Sequence, residues 1–248
     1  MFKSVNVAQN LAKRAQSLRE RMNEKHRIAL AQDIGDTLNQ EELNVSERSL
    51  ALEIVAKLVE DEIEEVRAAI AQSVAGSPHL PSNIAKKMAR DIHQVAIPVL
   101  KLSPVLEEKF LEEIIANRET EKVRAVAARD QLTQNLSRRI VASGKKGAVV
   151  ELLRNQGADI SNQTLTTIIR VYGDDRHIEK AVLDRGQLPD EVVNALCELV
   201  EIHVVTFVQR YFNLPEHIIN VQKGRNLLKN VKEKRHSSDW WDTKKGAV

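Results

Sequence analysis

Four arginines in the second half of the chain have side chains whose chemistry suggests binding. Arg129, Arg154, Arg185 and Arg210 each carry a planar guanidinium, which binds carboxylates and phosphates through paired N–H groups. An acidic peptide or a phosphate-bearing ligand is therefore the kind of partner that these residues predict. We expect all four to contact a partner protein.

Aromatic residues near the C-terminus are the second group of candidate contacts. Tyr211 lies in a short aromatic segment, and one aromatic side chain there could anchor a partner, as aromatic residues often do at interfaces. Trp240 and Trp241 lie in a basic tail, and exposed paired tryptophans are unfavourable unless they dock on something. They could fold back on their own chain, bind a partner protein or touch a membrane interface.

No arrangement of residues typical of an active site or a metal centre occurs in the sequence. Cys197 is the only cysteine, so a disulfide framework and a cysteine-based zinc site are excluded. The seven histidines form no H-E-x-x-H motif, and the Gly144–Gly147 segment lacks the spacing of a phosphate-binding P-loop. We therefore predict a protein that is not an enzyme, with no catalytic residue, no cofactor and no metal.

Charge is distributed unevenly along the 248 residues. The net charge is +2, but residues 222–248 carry +5 and residues 1–26 carry +4, which leaves −7 on residues 27–221. Basic ends could touch nucleic acid or an anionic membrane surface. The sequence has no apolar run long enough to span a bilayer and no secretory leader, so we predict a cytoplasmic protein.

A repeat with a period of 26 to 29 residues organises the chain. One apolar series precedes residues that can open a helix, and a second series follows acidic or polar turns. A fixed period of this length is typical of helical solenoids, in which each helix pair buries its apolar face against its neighbours. The first series is Leu80, Leu106, Leu132, Ile160, Leu188 and Leu214, and the second is Val66, Val95, Val123, Val149, Ile178 and Val204.

These patterns predict an all-α protein that folds as an α-solenoid of two-helix repeats. We expect a helical N-terminal cap over residues 1–45, a repeat solenoid over residues 46–221 and a basic C-terminal helix and tail over residues 222–248. Low glycine and proline content, with nine and six residues, argues against a β-sandwich with many turns.

The repeats resemble HEAT repeats, a family of helix pairs. Asp61 is followed by Val66 and Arg67, and Glu121 by Val123 and Arg124, as in the turn between the two helices of a HEAT repeat. The 95–106 segment is also similar to a bacterial family of unknown function with HEAT-like helices, and this resemblance covers roughly residues 40–220. That family implies the fold and leaves the activity open.

The HEAT resemblance implies a ladder of ion pairs in which turn acids meet arginines of adjacent repeats. Its predicted members are Asp61, Arg67, Asp91 and Arg124. It also implies that the second helices line a concave face, which suggests a scaffold or adaptor that binds a protein there. Two alternatives are a nucleic-acid-binding protein similar to HEAT-like DNA glycosylases, and a peripheral regulatory protein that acts through its basic ends.

Overall fold

The computed structural model describes residues 23–39, 43–173, 175–186 and 188–198. Over these residues all the regular elements are helices. The only β-type pairing among them is an isolated bridge between Leu132 and Ala158. The chain divides into two compact units, Met1–Ile160 and Ser161–Val248. The division lies inside the segment that the sequence predicts as one repeat region.

The first unit contains nine described helices. They are α1 (Glu24–Leu38), α2 (Val45–Leu58), α3 (Glu64–Val74), α4 (Ser82–Arg90), α5 (His93–Leu102), α6 (Glu108–Ala116), α7 (Thr120–Ala127), α8 (Gln134–Ala142) and α9 (Lys146–Arg154). The described part of the second unit contains α10 (Asn162–Tyr172), α11 (Arg176–Leu183) and a helical stretch over residues 190–198. α10 packs on α11.

Helices of the first unit alternate between two positions. α2, α4, α6 and α8 are the first helices of successive pairs, and α3, α5, α7 and α9 are the second helices. The second helices pack on one another in chain order, and α1 packs on α3 in the same way. We therefore group α1 with the second helices.

Both apolar series predicted from the sequence contribute to the core. In the second series, Val66, Val95, Val123, Val149 and Ile178 are completely buried. In the first series, Leu80, Leu106 and Leu132 are buried just ahead of α4, α6 and α8. Two residues that directly follow the first series, Thr133 and Ser161, open helices, since their hydroxyls accept hydrogen bonds from backbone N–H groups of α8 and α10.

The two loops that flank the α8–α9 pair are tied together. The Leu132 N–H donates to the Gly157 carbonyl over 3.3 Å, and the Asp159 N–H donates to the Leu132 carbonyl over 2.9 Å. A side chain at Gly157 would overlap the Asp130 carbonyl oxygen, so only glycine fits this crossing of two loops. This crossing fixes the position of the α8–α9 pair through its loops as well as through its core.

Candidate interaction surface

The turns between first and second helices carry ion pairs that connect neighbouring helix pairs. Arg67 on α3 donates from Nε to Asp91 Oδ2 over 2.8 Å and from Nη2 to Asp91 Oδ1 over 3.1 Å. Its Nη1 donates to the Asp61 carbonyl over 2.9 Å. This bidentate pair brings together two of the four predicted ladder residues, and Arg67 also contacts the backbone of a third.

Both members of this pair have shifted ionisation. Burial raises the pKa of Asp91, but hydrogen bonds from Arg67 and from the Ile92 N–H lower it by more, so the pKa lies below its usual value. The pKa of Arg67 is raised, chiefly by its hydrogen bond to Asp91. The pair is therefore ionised throughout the neutral pH range.

A similar pair precedes it, and the sequence analysis missed it. Arg27 on α1 lies 2.9 Å from Asp61, whose side chain is only 7% exposed. An arginine two helices before an acidic turn, the position that Arg67 has relative to Asp91, is the signal that could have found it. Asp61 therefore contacts α1 through its carboxylate and Arg67 through its carbonyl.

Arg124 has different partners from Arg67. It lies 3.4 Å from Glu121, one turn earlier on the same helix, and its side chain packs against Gly147 of the next turn. The next turn is Gly144-Lys145-Lys146-Gly147, which offers no carboxylate at this position. Arg124 therefore makes a local pair that is about half exposed.

Arg129, predicted to contact a partner, is used within the chain. Its guanidinium donates to the carbonyls of Leu100 over 2.6 Å and Ser103 over 2.8 Å, which lie at the C-terminal end of α5. Burial lowers the pKa of Arg129. A cation that hydrogen-bonds the last carbonyls of a helix also interacts favourably with the helix dipole, so this arginine stabilises the end of α5.

Asn155 repeats this arrangement one helix pair later. Its side-chain amide donates to the carbonyls of Ala127 over 2.9 Å and Arg129 over 2.6 Å, at the end of α7. Sequence reasoning missed this role because arginine and asparagine share no pattern apart from their position after a second helix. Their spacing of 26 residues, equal to the repeat, is the signal that could have found it.

The remaining predicted contacts are scattered. Arg154 is exposed at the end of α9. Arg185 follows α11 in the second unit, where it is half-buried and its pKa is lowered by burial. Arg210, Tyr211, Trp240 and Trp241 lie outside the described residues.

The exposed side of the first helices has charges that pair with one another across neighbouring helix pairs. Lys87 lies 2.6 Å from Glu60, and hydrogen bonding to Lys87 lowers the pKa of that exposed carboxyl. Arg139 lies 3.1 Å from Glu112. Further pairs join Lys86 to Glu107 and Arg90 to Glu113. Many charged side chains on this side are therefore paired with one another.

The opposite side of α1, α3 and α5 has a different character. It lies opposite the buried residues of these helices and consists of small, apolar, amide and charged side chains that are exposed or half-exposed. None of its charged groups has an ion pair within the described residues. We call it the α1–α3–α5 surface, and it comprises Lys25, Ala29, Gln32 and Asp36 of α1, Glu65, Ala69 and Gln72 of α3, and Gln94, Ile97, Pro98 and Lys101 of α5.

This surface stops at α7. The positions of α7 that correspond to Glu65 and Ala69 are Lys122 and Val126, and both are buried. Lys122 points inward to the Arg90 carbonyl at 3.4 Å and to Glu119 at 3.3 Å. The α1–α3–α5 surface is therefore three helices wide.

Among the described residues, no group of three or more histidine, cysteine, aspartate or glutamate side chains lies close enough to hold a metal ion. None of the helices described has the length and apolar character needed to cross a bilayer.

Comparison with known proteins identifies a family to which the chain is similar. A family model described as an uncharacterised protein conserved in bacteria matches residues 95–244, more than half of the chain. The match begins in α5, at the segment on which the sequence resemblance rests, and extends beyond residue 220. No curated protein and no solved structure matches the chain.

Proposed function

The chain belongs to the bacterial family DUF2336, and we propose that it is a non-enzymatic scaffold or adaptor. In this proposal it binds a partner protein through the exposed side of its second helices. The helix pairs stack as a HEAT-like solenoid, which presents one continuous row of second helices to the partner.

The observation that carries the proposal is the contrast between the two sides of the first unit. On the side of the first helices, four ion pairs join neighbouring helix pairs, as between Glu112 and Arg139. On the α1–α3–α5 surface, Asp36, Glu65 and Lys101 are exposed without such pairs among the described residues. A surface with unpaired charges and partly exposed apolar residues can supply both the electrostatic and the apolar part of an interface.

The surroundings of Arg129 and Arg154 decide which of these two arginines is a candidate contact for the partner. Arg129 hydrogen-bonds two carbonyls of its own chain, so it is not one of the groups that would bind the partner. Arg154, exposed on α9, remains a candidate contact. Lys101, exposed at the α5 end of the surface, replaces Arg129 as a candidate cationic contact.

Affinity capture with a double variant tests the proposed function. We expect tagged protein to retain a partner protein that Gln72→Arg/Lys101→Glu loses, because both changes alter exposed side chains of the α1–α3–α5 surface. Lys109→Glu, at an exposed position on the first helix α6, is the matched control and should retain the partner. Equal retention by all three proteins would contradict the proposal, and circular dichroism would establish that the variants are folded.

Nuclease treatment separates this function from nucleic-acid binding. A partner that survives nuclease and rebinds as a purified protein supports a scaffold. Recovery of nucleic acid, with every protein lost after nuclease, would favour the alternative of a nucleic-acid-binding protein.

A further inference from the structure

We infer that the α1–α3–α5 surface binds an extended segment of the partner protein. That segment carries a basic residue over α1 and an acidic residue over α5, five or six positions apart. The inference rests on the proposed function, because it uses the same surface, and it specifies the chemistry of the partner.

Small side chains occupy equivalent positions on α1, α3 and α5, and we call the strip that they form the floor of the surface. Ala29, Ala69 and Pro98 lie midway along the exposed sides of α1, α3 and α5. Small side chains at these positions allow another backbone to approach the helices closely. A shallow floor therefore crosses the three helices from one side to the other.

Hydrogen-bonding groups suited to a peptide backbone border this floor. The amides of Gln32 and Gln72 are exposed beside it, and each offers both donors and an acceptor. Pro98 lies inside α5 and has no N–H, so the Gln94 carbonyl has no helical donor four residues later. These groups can satisfy the unpaired N–H and C=O groups of an extended chain.

The spacing of the helices sets the length of the segment. Packed helices lie about 8–10 Å apart, so the distance from α1 to α5 is about 16–20 Å. An extended chain rises about 3.3 Å per residue and covers this distance in about five or six residues. A helical segment would satisfy its own backbone N–H and C=O groups. The amides of Gln32 and Gln72 would then have no backbone groups to bind.

Charge fixes the direction of the segment. Lys25 lies at the N-terminal end of α1, away from the edge that the segment follows. On that edge, Asp36 is the acid in the last turn of α1, and Lys101 is the base in the last turn of α5. Both are exposed, and neither has an ion pair within the described residues. A segment with the opposite order of charges would place like charges together at both ends, which disfavours binding.

Selection from a random dodecapeptide library displayed on phage, with the full chain as bait, tests the inference. Enriched peptides should share a lysine or arginine and an aspartate or glutamate five or six positions apart, in one order only. Anisotropy of a labelled enriched peptide should show at least about tenfold weaker binding to Lys101→Glu. Replacing the peptide's acid by lysine should restore binding to that variant.

A second peptide tests backbone recognition. N-methylation of its central residues removes N–H donors and should weaken binding by a similar factor. Lys109→Glu, the first-helix control, should bind the unmodified peptide as the native chain does.

The inference is overturned if no peptide is enriched, if the enriched peptides lack the charge spacing, or if the charge exchange fails to restore binding. If captured protein is still lost from Gln72→Arg/Lys101→Glu while the peptides fail, the proposed function stands and the partner presents a folded surface. If neither experiment responds to these residues, both proposals fail.

Discussion

At the scale of single residues, polar side chains that connect one helix pair to the next set the register of the first unit. Arg67 binds both the carboxylate of Asp91 and the carbonyl of Asp61. Arg129 and Asn155 bind the last carbonyls of α5 and α7. These contacts fix α5 at both ends, α3 at its N-terminal end and α7 at its C-terminal end.

The Arg67–Asp91 pair predicts a pH-dependent contribution to stability. Because the pKa of Asp91 is lowered in the folded protein, its contribution is fully present above the unfolded value of about 3.9. It is lost as the pH falls through the lower folded value. Asp91→Asn should therefore cost about 1–3 kcal/mol of unfolding free energy at pH 7 and progressively less below about pH 4.

Urea denaturation at neutral and acidic pH measures this difference. Glu60→Gln is the matched control, because its pair with Lys87 is exposed and solvent screening leaves such a pair little effect on stability. A loss in Asp91→Asn that is the same at both pH values would contradict the assignment.

Arg129 should be required for stability instead of for binding. Arg129→Ala leaves two carbonyls at the end of α5 without their donor, and an unsatisfied buried acceptor costs about 1–3 kcal/mol. We expect a lower melting temperature and unchanged partner binding by the folded protein. The exposed Arg154→Ala should melt like the native chain, and equal effects of the two substitutions would refute this distinction.

At the scale of elements, a close contact joins α1 to α3. Gly35 of α1 faces Ser73 of α3, and a side chain at Gly35 would overlap the Ser73 Cβ. This glycine allows α1 and α3 to approach closely and places their exposed sides next to each other.

Gly35→Ala should therefore destabilise the protein although alanine favours helices by about 1 kcal/mol. α1 must move away from α3, which opens the packing beside Ile34 and Leu38, both fully buried. Chemical denaturation measures the change, and we also expect weaker partner binding. Ala29→Ser, at an exposed position on the same helix, is the control, and a Gly35→Ala protein as stable as that control would contradict the close contact.

Much of the element structure follows from the sequence, whereas much of the candidate site does not. Apolar periodicity and capping residues such as Thr133 predict the helices because burial and backbone hydrogen bonding act locally. Arg129 was predicted as a partner contact because its sequence does not reveal which carbonyls fold back to it. The α1–α3–α5 surface escaped prediction because alanine and glutamine have no chemistry that stands out until packing decides which sides stay exposed.

At the scale of the whole molecule, we propose that the first helices and the second helices have different roles. The first helices carry charge pairs that link neighbouring helix pairs, and the turn and loop contacts hold the described first unit in register. We propose that the second helices are left to bind a partner. Deleting residues 222–248 should then leave capture through the α1–α3–α5 surface intact, whereas the alternative of a peripheral protein acting through its basic ends predicts a loss of localisation.

Site-specific photo-crosslinking in cells tests the central claim most directly. A benzophenone amino acid replaces Gln72 on the proposed site in one variant and Lys109 on the first helices in another. The account predicts a crosslinked partner protein from position 72 and none from position 109. Crosslinking from position 109 alone, or equal crosslinking from both positions, would contradict the claim that the second helices bind the partner.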